Sequence, residues 1–379
     1  MKFIHLSDLH LGKRVNGFSM LEDQKYILTE IINIIDTEKP NAVIIAGDVY
    51  DKSVPPAEAV EMLDEFLVCL SKRKLQDFIN SGNHDSPERL AFGNRLIDVS
   101  GIHISPVYNG EVKPISLQDE YGIVNIYMLP FIKPVNVRRY FPDEDIATYT
   151  DAMRLAVNQM NIDTSNRNIL ITHQFVTGAL RSDSEDISVG GSDNIDVSAF
   201  KGFDYIALGH IHRPQNIGSE CVRYCGTPLK YSFSEAKHKK SVTIIELHTK
   251  DDFSVRTVPL TPIHDMVVLK GTYADITNKS YYENTSWQED YVHITLTDEE
   301  DIPDAIGKLR TIYHNLMEIK YDNKRTQYNA EINGTDTVKN KTPLELFKEF
   351  YELQNNSPMS AEQISYMQNL IENVWEEES

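Results

Sequence analysis

The chain has 379 residues, 41% of them hydrophobic and 25% charged, with a formal net charge of −20. That length predicts two or three domains, and that balance predicts a globular chain rather than a disordered one. A membrane-spanning reading is excluded, because no apolar run approaches the roughly 18 residues a bilayer needs. The N-terminus MKFIHLSDLH lacks the apolar stretch of a signal peptide. Three cysteines, Cys69, Cys221 and Cys225, are too few and too odd in number for a disulfide framework, which predicts a reducing, cytoplasmic setting. CVRYC lacks the second thiol pair of a structural zinc site, so its cysteines read as small buried side chains.

Along the chain, short apolar runs end repeatedly in polar residues. KFIHL leads to Asp8 and His10, and the helical pattern DQKYILTEIINIIDTE follows. AVIIA leads to Gly47 and Asp48, followed by a helix near AEAVEMLDEFLVCL. LQDFIN leads to Gly82, Asn83 and His84. A further helix over PERLAFGNRLIDVS offers an apolar face for self-association or for an ordinary core. NILIT ends at His173, and YIALG leads to His210 and His212. The β-branched richness and the glycine ends favour buried strands, and the interleaved helices make this an α/β layered domain. Ligands in such domains gather beyond the carboxyl ends of strands, so these five ends are expected to meet.

Pro259 and Pro262 mark a linker. Beyond it MVVLKGTY and YVHITLT read as strands, and Ile302, Ile306, Leu309, Ile312, Leu316 and Ile319 read as one helix, together a small α+β unit. The polar stretch NGTDTVKNK then leads to two helices. Each is announced by a capping box, Thr342 with Glu345 and Ser360 with Gln363, and Pro343 takes the first helical position. Ile364, Met367, Ile371 and Val374 form one seam. This hairpin either folds back on its own domain or docks a partner helix.

Each motif alone is ordinary, since an Asp-x-His triplet is more often a turn than a metal site. Their combination is not. Asp8, His10, Asp48, Asn83, His173, His210 and His212 offer carboxylate, imidazole and amide oxygen without thiolate, a set suited to Mn or Fe. Seven ligands are too many for one ion but serve two ions about 3.5–4 Å apart, bridged by a carboxylate, for which Asp48 is the candidate. Two such cations lower the pKa of a water between them and polarise a phosphoryl oxygen. His84, next to Asn83, is placed to protonate the departing oxygen, with Asp51 or Asp85 as its orienting carboxylate and Asp51 preferred. The other reading makes His84 a further ligand.

The five motifs, in this order, resemble those of the calcineurin-like metallophosphoesterases. HQFVTGALRSDSEDISVGG, DYIALGHIHRPQ and RYCGTPLKYSFSEAKHKKSVTIIEL are similar to the bacterial SbcD family of nuclease subunits. The likeness is nearly continuous from Met1 to about Leu247 and weak beyond. It implies an α/β layered metallophosphoesterase sandwich over 1–262, a small α+β capping and DNA-recognition domain over 263–338, and a C-terminal helical hairpin over 339–379. It implies that Asp8, His10, Asp48 and His212 hold one ion and that Asp48, Asn83, His173 and His210 hold the other. It also implies Mn²⁺-dependent exonuclease and endonuclease action on double-stranded DNA ends and hairpins. The partners implied are a second copy of the chain and an SbcC-like coiled-coil ABC ATPase, gripped by the hairpin within a heterotetramer.

The acidic balance then predicts weak DNA binding by the chain alone, with the ATPase supplying much of the phosphate neutralisation. Local basic residues, Arg213, Arg223, Lys230, Lys237, Lys239 and Lys240 with Lys13, Arg14, Arg138 and Arg139, are candidate contacts. The competing readings are another phosphodiesterase or phosphatase on the same centre, since metals do not choose among phosphate esters, and a non-enzymatic tether for DNA ends.

Overall fold

Two six-stranded sheets form the centre of the largest unit in a computed structural model that describes residues 1–185, 193–250, 252–323, 342–355 and 358–377. The first sheet runs in the order Phe253–Pro259, Ser241–Leu247, Lys2–Leu6, Ala42–Ala46, Gln76–Asn80, Ile102–Ile104. Its last four strands are mutually parallel. The second runs Gln215–Ile217, Ser219–Tyr224, Tyr205–Gly209, Arg167–His173, Gly122–Leu129, Ile115–Asp119, with a parallel centre.

The strand Ala42–Ala46 shows why the sheets stack. It is buried on both faces, as a parallel strand between two layers must be. Ala42, Ile44 and Ala46 join Phe3, Phe78, Ile126, Ile171 and Tyr205 in a core between the sheets. Val43 and Ile45 face outward into a second core, where the helices Leu21–Glu38 and Ala57–Ser71 contribute Ile27, Ile31, Phe66 and Leu70. The helix Tyr149–Asn158 covers the other sheet through Met153 and Val157. The result is the expected layered sandwich. Among the described residues no helix is long and apolar enough to cross a membrane, and all three cysteines are free.

Beyond the sandwich, Met266–Gly271, Tyr291–Leu296 and Asn315–Tyr321 form a parallel three-stranded sheet. Leu269, Val292, Ile294, Leu309 and Leu316 build its core. Here the expected single helix through Ile302 and Ile319 is corrected. The helix spans only Ala305–Arg310, and Leu316 and Ile319 lie on the third strand. The cause is a bulge: Val292 pairs with Leu316, but the next residue, His293, pairs with Glu318. The extra residue puts Leu316 and Ile319 on one face, so a strand imitates helical spacing.

PERLAFGNRLIDVS is likewise not one helix. Pro87–Leu90 and Asn94–Ile97 are separate turns, broken at Gly93 with φ 75°. Both predicted capping boxes form, Glu345 N–H donating to Thr342 Oγ1 at 3.2 Å and Gln363 N–H to Ser360 Oγ at 3.2 Å. The helices they open are Pro343–Asn355 and Ala361–Glu377, and Ile364, Met367 and Ile371 are half-buried along the seam. NGTDTVKNK, the 338/339 boundary and the Val374 side chain lie outside the described residues.

Candidate metal centre

The carboxyl ends of five strands, three from one sheet and two from the other, deliver their loops to one point. The turns are sharp. Asp8, His10, Asp48 and His210 take positive φ of 53°, 45°, 47° and 98°, a conformation that costs a non-glycine residue energy and clusters at functional sites. Neighbouring loops hold it in place: Asp8 N–H donates to the Gly47 carbonyl and His10 N–H to that of Asp48, each at 3.0 Å. Asp85, just past the GNH turn, accepts from the backbone N–H groups of Val49, Tyr50 and Gly82 at 3.1, 2.9 and 2.9 Å. Gly82 and Gly209 are among the positions where only glycine fits. A Cβ on Gly82 would lie 2.1 Å from Asp48 Oδ1, and one on Gly209 would lie 1.8 Å from the Ala46 carbonyl.

All seven candidate ligands, with His84, come together here. His10 Nε2 and His212 Nε2 are 3.1 Å apart, and His10 Nε2 is 3.7 Å from Asp48 Oδ2. On the other side His173 Nε2 stands 3.2 Å from Asp48 Oδ2 and 4.0 Å from Asp8 Oδ1. Asn83 Oδ1 lies 3.0 Å from His173 Nε2 and 2.9 Å from His210 Nδ1. Three overlapping sets have ligand atoms within 4.8 Å of one another: Asp8, His10 and His212; His10, Asp48 and His84; Asp8, Asp48 and His173. Both aspartates are therefore shared between sets, so geometry alone allows either to bridge.

These residues fit divalent cations. Asp8 Oδ2 is buried with no hydrogen-bond partner among the described residues, which is costly unless a cation faces it. Burial holds His10 and His210 well below the usual imidazole range. Burial also works against charge on Asp48, but the imidazoles of His173, His84 and His10 outweigh it and hold the carboxylate ionised. Neutral imidazole and ionised carboxylate are the forms that ligate metals. For His173, burial is overcome by the Asp48 and Asp8 carboxylates, which lift it to about 9; its proton occupies the place of a cation's charge.

Outer contacts fix which nitrogen points inward. The His173 Nδ1–H donates to the Ala46 carbonyl at 2.9 Å, leaving Nε2 for the centre. His212 Nδ1 is held by Ser184 Oγ at 2.7 Å, and Ser184 donates to Glu235 Oε1 at 2.5 Å. Lys240 pairs with the fully buried Glu235 and donates to the His212 carbonyl at 2.9 Å. Burial disfavours the Glu235 charge, yet Lys240 holds it below the carboxylate range. Lys240 is thus a buried structural cation rather than the surface DNA contact its sequence neighbourhood suggests, and Lys230 is occupied by Asp265 at 2.7 Å.

His84 Nδ1 lies 3.0 Å from the backbone carbonyl of Asp51, which can only accept, so Nδ1 carries the proton and Nε2 faces Asp48 at 3.9 Å. Asp51 thus meets the ring through its main chain. Its carboxylate binds Lys13 Nζ at 2.6 Å and lies 3.8 Å from His10 Nδ1. The Asp85 carboxylate, the other orienter considered, is taken up by its three backbone donors.

Sequence reading missed three features of the site. Ser184, Glu235 and Lys240 lie in stretches already distinctive as sequence, but nothing in their spacing assigns a role. Phe131 follows the strand Gly122–Leu129 and stacks on His210 with centroids 6.5 Å apart. The apolar run IYML was its signal. Arg14–Val15 and Phe18–Ser19 form a hairpin whose turn, Asn16-Gly17, has both φ positive; an Asn-Gly pair is the strongest short hairpin signal.

Residues 1–214 match the calcineurin-like phosphoesterase family, and 262–355 match the type 5 capsule protein repressor C-terminal domain. Over 378 residues the chain is 33% identical to the SbcD subunit of nuclease SbcCD from Staphylococcus epidermidis, covering 98% of this chain and 99% of that protein. The chain belongs to the SbcD family of calcineurin-like phosphoesterases. A second SbcD, from Staphylococcus saprophyticus, is 33% identical over 336 residues, 88% of this chain and 87% of that protein. Membership of the SbcD family and the clustered ligands together identify a divalent-metal site.

Proposed function

We propose that this chain is the nuclease subunit of an SbcCD-type complex, hydrolysing phosphodiester bonds at double-stranded DNA ends and hairpins in repair, replication and recombination. The observation that carries this is the meeting of seven ligands and His84 at one point, in a chain alike along nearly its whole length to an SbcD nuclease. Asp8, His10, Asp48 and His212 would hold one ion, and Asp48, Asn83, His173 and His210 the other. Oxygen and imidazole without thiolate suit Mn or Fe, and of these the family resemblance points to Mn²⁺. Bound, the ions supply Lewis acidity and a water of lowered pKa.

The chain's own residues do the rest. His84, its Nδ1–H anchored on the Asp51 carbonyl, presents Nε2 toward the centre; as the imidazolium it gives the Nε2 proton to the departing oxygen and is left neutral. Asp51 acts twice, through its carbonyl on His84 and through its carboxylate beside His10. Phe131 walls the side occupied by His210.

The partners implied by the family resemblance would find exposed apolar side chains to dock on. Phe92, Leu96 and Val99 are 87%, 80% and 88% exposed on the broken helix after the GNHD turn, a surface for a second copy of the chain. Phe350, Tyr366 and Leu370 are exposed on the C-terminal hairpin, the element that would dock the coiled coil of an SbcC-like ATPase. The assembly this reading implies is a heterotetramer. The working division is 1–262 nuclease, 263–338 cap and 339–379 docking hairpin, and free cysteines suit the cytoplasm.

The test is digestion of end-labelled duplex and hairpin DNA with and without Mn²⁺, beside p-nitrophenyl phosphate and cyclic nucleotides. Mn²⁺-dependent DNA cleavage supports the reading. Turnover confined to the small esters favours the sibling phosphatases and contradicts it.

A further inference from the structure

Lys13 ends the loop that carries Asp8 and His10, and its backbone is fixed on both sides. The Lys13 N–H donates to the His10 carbonyl at 3.0 Å, and the Lys13 carbonyl accepts from Met20 N–H at 3.1 Å. Gln24 ties the same loop, donating to the His10 carbonyl at 2.7 Å and accepting from Gly12 N–H at 3.0 Å. The facing loop, which carries Asp48 and Asp51, is joined to it twice. Leu11 N–H donates to the Val49 carbonyl at 3.0 Å, and Asp51 N–H to the Leu11 carbonyl at 3.2 Å. The Lys13 side chain is thereby delivered to one place, its Nζ 2.6 Å from Asp51 Oδ1 and 5.6 Å from the centre of the Tyr231 ring.

Three side chains converge on Asp51. Its carbonyl accepts from His84 Nδ1–H, its carboxylate pairs with Lys13, and Oδ1 stands 3.8 Å from His10 Nδ1. That last separation is too long for a hydrogen bond, and His10 Nδ1 has no hydrogen-bond partner among the described residues. A ligand imidazole commonly donates its outer N–H to a carboxylate; here an ammonium has taken the carboxylate beside it. The side chains of Lys13 and Asp51 are only 15% and 12% exposed. A lysine that reaches for DNA keeps its charge in solvent, as the neighbouring Arg14, which is exposed, can do. Lys13 spends its charge inside the protein, and removing it would strand a poorly hydrated carboxylate. That carboxylate would turn to the nearest ring N–H groups, those of His10 and His84, whose rings stand edge to face with centroids 4.8 Å apart.

We propose that Lys13 is a positioning residue for the cleavage step: by holding the Asp51 carboxylate it leaves His84 Nδ1 to the Asp51 carbonyl and keeps Nε2 aimed at the departing oxygen. The proposal rests on the nuclease reading and deepens it. In that step a hydroxide oxygen joins phosphorus and the bond from phosphorus to the departing oxygen breaks. The electron pair left on that oxygen takes the Nε2 proton of the His84 imidazolium, which becomes neutral. A sulfur in the departing position leaves as a thiolate and needs no proton. It therefore reports the rest of the centre without the contribution of His84.

The experiment uses the full chain in Mn²⁺ and two matched end-labelled duplexes, one natural and one with sulfur as the departing atom of the scissile linkage. Lys13→Met is expected to lower kcat on the natural duplex about tenfold or more, with KM within about twofold of the parent. On the sulfur duplex the same variant is expected to lose no more than about threefold in kcat. Lys13→Arg, which keeps a cation at Asp51, is expected to recover most of the loss. Asp51→Asn is expected to silence Lys13, so that adding Lys13→Met to it changes kcat by less than about twofold. Equal slowing of the two duplexes by Lys13→Met places Lys13 on the ions or the fold and overturns the positioning role. A raised KM with unchanged kcat makes it a DNA contact and overturns the role too, as do additive losses in the double variant. All of these leave the nuclease reading standing. A parent that cuts neither duplex overturns that reading and the inference with it.

Discussion

The metal centre and the cleft beside it are built by opposite means. In the centre, the candidate ligands other than Asn83 are buried, four of them hold left-handed backbone, and loops from two sheets are tied through Asp85 and backbone hydrogen bonds. The cleft lies where the small sheet meets the sandwich: His293 is buried and Val268 exposed on its face, and Met266, Tyr291 and Met317 join the sandwich core beneath it. Tyr291 donates to buried Asp23 at 2.6 Å, and His264 lies 3.1 Å from the same carboxylate. The difference teaches which substitutions each region should tolerate.

The largest effect is expected inside the centre. Asn83→Ala or His84→Gln should lower hydrolysis of DNA and of a small diester alike, by about 10²–10⁴-fold. Steady-state kinetics beside circular dichroism checks this, and full activity in both variants removes their assigned roles. Gly209→Ala comes next, because its Cβ would meet the Ala46 carbonyl at 1.8 Å. A cost of about 3 kcal/mol or more is expected in denaturant titrations.

The strand Gln76–Asn80 offers a comparison within one element. Past its end Asp85 has three backbone donors, whereas Asp77, near its start, is buried with neither carboxylate oxygen hydrogen-bonded among the described residues. Burial lifts Asp77 to about 7. Between about pH 4 and pH 7 the folded chain therefore holds a proton that the unfolded chain has released, so stability falls as pH rises through that window. Asp77→Asn should remove that slope and raise stability at pH 8 by a few kcal/mol, up to about 4. A variant with the parent's pH–stability curve contradicts it.

The smallest change is at the junction. Tyr291→Phe strands Asp23 without its hydroxyl donor, at a cost of about 1–3 kcal/mol. Turnover of DNA should fall more than that of the small diester. Equal effects on both would mean that the junction supports the centre itself.

The centre was legible because a strand end leaves a local signature. An apolar β-branched run stopping at a ligand is readable even when its partners lie 202 residues away, as His212 does from His10. What positions those ligands was not legible. Ser184 reaching His212 and Lys240 reaching Glu235 depend on which loops the fold brings together. The third strand of the small sheet was misread for a specific reason, since its bulge turned a period of two into a spacing of three between Leu316 and Ile319. That same bulge sets which side chains of the strand face the cleft.

The most direct measurement is anomalous diffraction from crystals soaked in Mn²⁺. Two peaks about 3.5–4 Å apart are expected, one beside His10 and His212, the other beside Asn83, His173 and His210, with Asp48 touching both. One isolated peak, or none among these side chains, would contradict a paired-cation nuclease.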